Sequence, residues 1–84
     1  MMRLWLITPK EETYTSVWEP GYDKAHGFVV RAKTEDKARE LANTRSGDEV
    51  SEYAGAWLDS NYSDCIELRS TGPEEVIIRD FYHA

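Results

Sequence analysis

Four arginines stand where a phosphate or a carboxylate could be gripped: Arg3, Arg31, Arg69 and Arg79. A guanidinium offers paired donors in a fixed plane, which suits such anions, and it also stacks on aromatic rings. Each of the four lies in a different strand-like stretch, and each holds an odd position. Trp5, Trp18, Tyr22 and Phe81 are flat side chains able to stack on a base. The chemistry this set suggests is capture of a small phosphorylated nucleotide, with no bond made or broken. The same arginines could instead pair with Glu67, Asp80 or the acidic segment and frame a contact between copies. A dimer interface is the simpler reading, and it is compatible with the first because ligand sites often lie between subunits.

Other chemistries are poorly supplied. There is no Gly-rich phosphate loop, no nucleophile elbow and no His/Cys cluster at metal spacing. The expectation is a binding protein, not an enzyme, with no cofactor and no metal. His26 and His83 are isolated and read as surface or hydrogen-bonded histidines. Cys65 is the sole cysteine, so no disulfide framework exists and a reducing, cytoplasmic setting is expected. Inside a strand, a lone thiol is by default a small buried side chain. Trp18, Tyr22, Asp23 and His26 gather around one long connection and could line a pocket, whereas Trp57 reads as core.

Charge narrows the partners further. Ten basic and sixteen acidic residues give a net charge of −6, which opposes direct binding to duplex nucleic acid. Between Arg45 and Arg69 lie six carboxylates, Asp48, Glu49, Glu52, Asp59, Asp64 and Glu67, with no Lys or Arg among them. Such a stretch reads first as a solvated face. Its sharper reading is an acidic patch, residues 48–67, that meets a basic host protein.

These residues must be positioned by a small fold. Eighty-four residues make one domain, 1–84, and 40% hydrophobic content is too much for a disordered chain. A core of this size is marginal, so a homo-oligomer is expected. The apolar run at residues 1–7 is too short for a signal peptide or a membrane span and reads as a strand. Residues 3–7, 27–33, 65–69 and 75–82 are the expected strands, the last two joined by a Thr71-Gly72-Pro73 turn. Thr34 is an expected helix N-cap, followed by Glu35 and Asp36 in the first turn and Ala38, Leu41 and Ala42 at helical spacing, with Gly47 as the stop. Val50, Tyr53, Ala54, Trp57 and Leu58 suggest a second short helix, weakened by Gly55. The expected fold is α+β: a four-stranded, mostly antiparallel sheet with one main helix packed on one face.

Side chains alternate across a strand. The even positions Leu4, Leu6, Phe28, Val30, Ala32, Ile66, Leu68, Val76 and Ile78 are all apolar and are expected to form the core against the helix. The odd face, with Trp5, Ile7, Val29, Ile77, Phe81 and the four arginines, is expected to bind.

The Arg-Leu-Trp-Leu-Ile start, Tyr22-Asp23 before Gly27-Phe28-Val29-Val30-Arg31-Ala32, the helix from Thr34 to Ala42, and the closing Val76-Ile77-Ile78-Arg79-Asp80-Phe81 together resemble small phage-encoded proteins of β-β-α-β-β layout. The resemblance covers nearly the whole chain at the level of pattern and rests on no diagnostic motif. It implies a class whose members, where they have a role, are often anti-defence factors. Some of these bind CRISPR–Cas effectors, and others sequester the nucleotide signals of host immunity. On that footing the expectation is a viral protein in the cytoplasm of the infected host. It would sequester a nucleotide signal, or alternatively inhibit a host nuclease or CRISPR–Cas effector. A structural or assembly component of the virion is a third class. The resemblance transfers no site residues.

Overall fold

The computed structural model describes residues 1–10, 18, 24–50 and 54–79. Strand β1 (Arg3–Pro9) forms the middle of a three-stranded antiparallel sheet of order β2-β1-β3, flanked by β2 (Phe28–Ala32) and β3 (Ser63–Leu68). Helix α1 (Glu35–Asn43) follows β2 after two residues and packs back on the sheet. Thr34 caps it, with Oγ1 accepting from Lys37 N–H at 3.2 Å, and Glu35 and Asp36 fill its first turn. The helix ends at Asn43, four residues before Gly47.

Two expected elements differ. Residues 54–58 form tight turns, closed by Leu58 N–H to Gly55 O at 3.0 Å and Asp59 N–H to Ala56 O at 3.3 Å, and Asp48–Val50 is a single 3-10 turn. Residues 75–79 carry no strand, so the sheet has three strands among the described residues. The rest of that expected strand, Asp80, Phe81 and Tyr82, lies outside the described residues, as do Tyr22, Asp23, Glu52, Tyr53 and His83. Gly72 turns the chain out of β3 with φ 142°, a conformation that residues with a Cβ rarely adopt.

The core face is not the one that parity suggested. Trp5 pairs with Val30 and with Glu67, while Ile7 pairs with Phe28 and with Cys65. Directly opposed residues share a face, so the even positions of β2 lie with the odd positions of β1 and β3. Because α1 leaves β2 after two residues, it covers Phe28, Val30 and Ala32, and with them Trp5, Ile7 and Cys65. Trp5 and Ile7 are therefore core, whereas Leu4 and Ile66 face solvent. Parity carries across from β1 to β3 but inverts from β1 to β2, and only the register reveals it.

On the helix, Ala38 and Ala42 pack against the sheet, but Leu41 stays 43% exposed. Small side chains let α1 approach closely, and Arg39 occupies the contact in place of Leu41. Four of its five N–H donors are engaged: Nε donates to Glu35 Oε2 at 2.9 Å, Nη1 to Ser63 Oγ at 2.7 Å and Trp57 O at 3.1 Å, and Nη2 to Ser63 O at 3.1 Å. One buried side chain thus ties α1 to the turns at 54–58 and to the start of β3.

The inverted core makes a direct prediction. Ile7→Ala should cost about 2–5 kcal/mol, because it empties a fully buried site. Leu41→Ala should cost less than about 1 kcal/mol, as an exposed position does. Urea midpoints for both variants check the ordering, and equal shifts would place the core on the other face.

Candidate functional site

Several charged groups sit where the chain itself uses them. Glu49 is fully buried. Its Oε1 accepts from Ala25 N–H at 2.7 Å and Gly47 N–H at 3.0 Å, and its Oε2 accepts from Gly47 N–H at 2.9 Å and Trp57 Nε1–H at 2.8 Å. Burial alone would push this carboxyl up. The donors from Ala25, Trp57 and Gly47 together outweigh it and hold the group below its ordinary value. Cys65 moves the other way: burial and the nearby Glu35 charge raise its thiol, with Arg39 partly offsetting them. A protonated, half-buried thiol is a poor nucleophile.

The aromatic side chains are also committed. Trp57 packs against Trp18 with ring centroids 4.6 Å apart and against the edge of Phe28 at 4.9 Å. Trp18 is only 3% exposed, and its Nε1 has no hydrogen-bond partner among the described residues. Trp5 is buried and donates its Nε1–H to Ala32 O at 3.1 Å. Neither tryptophan offers a face to a ligand, which corrects the stacking role expected for both. Tyr22 and Phe81 lie outside the described residues.

The four arginines divide. Arg3 at the start of β1 and Arg69 just after β3 come together at one end of the sheet. Arg3 Nη1 lies 3.9 Å and Arg69 Nη2 3.7 Å from the same oxygen, Oε1 of Glu67. Both guanidiniums are more than half exposed, and at these separations their donors remain open to a ligand. They line a cleft of about 500 Å³ together with Leu4, Leu68 and Thr71. Arg31 lies beside this lining, since its register partner is Leu4, on the face away from α1. Arg79 stands apart, in a second hollow with His26, Thr8 and Val29.

The acidic segment is not a uniform patch either. Glu49 is buried and Glu67 is engaged by two arginines, while Asp64 pairs with Lys10 at 3.0 Å. Among the described residues there is no group of three or more His, Cys, Asp or Glu side chains able to hold a metal ion. No helix among them is long and apolar enough to cross a membrane. No family model, curated protein or solved structure matches the chain.

The residues that sequence reasoning missed are Glu49, Arg39 and Ser63. Arg39 carried one legible signal, its i,i+4 spacing from Glu35. Glu49 carried none that set it apart from the other five carboxylates of its segment.

Glu49 links stability to pH. Its folded value is depressed, so its contribution is complete above the ordinary carboxylate value of 4.5 and is lost as pH falls below it. Glu49→Gln should destabilise by about 2 kcal/mol at neutral pH, since its amide NH2 must face an N–H donor. It should also flatten the acid limb of the stability profile. Chemical denaturation between pH 3 and pH 7 reads both, and an unchanged acid limb would assign the acid sensitivity to other groups.

Proposed function

We propose that this domain binds a small phosphorylated nucleotide signal in the cleft between Arg3 and Arg69 and sequesters it without cleavage. The observation that carries the reading is the sharing of one carboxylate by two exposed guanidiniums. Glu67 neutralises one of the two charges, so a net positive spot remains on a chain whose total is −6. A phosphate entering the cleft can take donors from both arginines, while Leu4 and Leu68 supply apolar walls. The volume suits a ligand of nucleotide size. With Trp5 and Trp18 buried, the phosphates provide the grip and base stacking by these two rings provides none.

The resemblance to small phage proteins supplies the setting: an anti-defence factor acting in the cytoplasm of an infected cell. The competing idea, an acidic inhibitor using residues 48–67 against a basic nuclease or CRISPR–Cas surface, loses Glu49 to the interior.

Isothermal titration with inorganic pyrophosphate, cyclic dinucleotides, cyclic oligonucleotides and ADP-ribose derivatives tests the proposal. Arg3→Ala and Arg69→Ala should each weaken binding by about 1.5–3 kcal/mol, with the fold intact by circular dichroism. Arg69→Lys should recover part of the loss, because an ammonium lacks the paired donors. Arg31→Ala should matter less and Arg79→Ala hardly at all. If no compound binds, or the Arg3/Arg69 double variant binds as well as the parent chain, the reading fails.

A further inference from the structure

After Gly72 and Pro73 the chain returns across the sheet face that α1 leaves uncovered. Val76 and Ile77 share a hollow with Ile66 and Leu68, and Ile78 shares the next with Leu6 and Val29. The crossing segment is itself poorly covered: Val76, Ile77 and Ile78 remain 78%, 54% and 48% exposed. Leu4, Val29 and Ile66 are exposed around it. Soluble monomers seldom leave so many neighbouring aliphatic side chains in water.

The backbone of the segment is open as well. Among the described residues, Val76, Ile77 and Ile78 make no backbone hydrogen bond. Three consecutive β-branched residues have the composition of a strand, yet they have no strand beside them. The chain bends at Ile77, and the backbone groups of Val76 and Ile78 on either side of the bend offer a template that can straighten by pairing with another chain.

The order of residues says which chain. Residues 75–79 read Glu-Val-Ile-Ile-Arg. If two copies run antiparallel about Ile77, each Glu75 stands opposite the other copy's Arg79 and each Val76 opposite the other copy's Ile78. The segment is complementary to itself in charge and in shape, as a two-fold interface requires. One residue further out, Glu74 would meet Asp80, two like charges, so the match is limited to five residues. A parallel arrangement would instead set Glu75 against Glu75 and Arg79 against Arg79.

We propose that residues 75–79 form the two-fold seam of a homodimer, pairing antiparallel across Ile77 as an intermolecular strand. The two uncovered sheet faces close over this seam, bringing Leu4, Val29 and Ile66 out of water. The fourth strand that the sequence suggests is then completed by a second copy, not by β3 of the same chain. The seam borders the Arg3–Arg69 cleft, with Glu67, Leu68, Arg69 and Thr71 lining both hollows, so association is measured without ligand and can fail independently of nucleotide binding.

Sedimentation equilibrium of the full chain, without ligand, tests it from low micromolar to millimolar concentration. The expected result is twice the 9.7 kDa chain mass. Glu75→Arg alone and Arg79→Glu alone should each weaken association by roughly tenfold or more, since two opposed pairs per dimer become like-charged. The double variant should associate as the parent does. As a second measurement, Ile77→Cys in a Cys65→Ser background should oxidise to a covalent dimer, and Asp36→Cys should not. A monomer throughout the range would overturn the proposal. So would a dimer indifferent to both single reversals, or one captured no better at 77 than at 36.

Discussion

Glu49 carries its charge at a point that water does not reach, and the hydrogen bonds that permit this hold three separate pieces of chain together. Ala25 lies just before β2, Gly47 just after α1, and Trp57 in the turns that lead to β3. An unpaired carboxylate in that position would be far too costly, so the three segments must converge for the charge to be tolerated. Once they do, Trp57 is fixed by its indole N–H, and Trp18 and Phe28 pack on its ring. Arg39 repeats the arrangement on the other side of Trp57, taking its carbonyl and the backbone and hydroxyl of Ser63. Two buried charges thus organise a core whose helix contributes mainly alanines. In a chain of this size, hydrogen bonds to ionised groups do part of what a larger apolar interior would otherwise do.

That division of labour explains what could and could not be read along the chain. The strands β1, β2 and β3 and the helix at 35–43 were legible, because alternation, the Thr34 cap and the acidic first turn are local signals. The choice of face was not local. Parity within β1 offers Leu4 and Leu6 against Trp5 and Ile7, both apolar, and nothing within the strand says which pair meets the helix. The answer lies in the register with β2, where odd meets even, and a one-residue change there would turn the sheet over. Leu41 misled for a related reason. A leucine at helical spacing normally faces the core, but here Arg39 fills the space beside Ala38 and Ala42.

The arginines show how such an inversion redistributes chemistry. Read by parity alone, four guanidiniums and two tryptophans share one binding face. In the folded chain the tryptophans turn inward, and only Arg3 and Arg69 converge. They do so because antiparallel pairing sets the start of β1 beside the end of β3, with Leu4 opposite Leu68. Glu67 then has a double role. It neutralises enough charge to let two guanidiniums stand close in the absence of a ligand, and it leaves one positive charge for an anion to meet. A carboxylate that reads as part of an acidic stretch becomes part of a cationic site.

The same inversion leaves a second apolar surface. Leu4, Leu6, Ile66 and Leu68 are as hydrophobic as the residues that were buried, yet α1 can cover only one side of a three-stranded sheet. A sheet apolar on both faces normally carries a layer on each. Among the described residues, the second side receives the single crossing of residues 75–79, which leaves Val76, Ile77 and Ile78 largely exposed and without backbone hydrogen bonds. Adding a layer from within would require more chain. Adding one from a second copy requires only that the crossing segment match itself, and the placement of Glu75 and Arg79 about Ile77 meets that condition. The lack of a fourth strand among the described residues and the apolar character of the outer face would share one physical cause if, as proposed, the second layer is supplied by association.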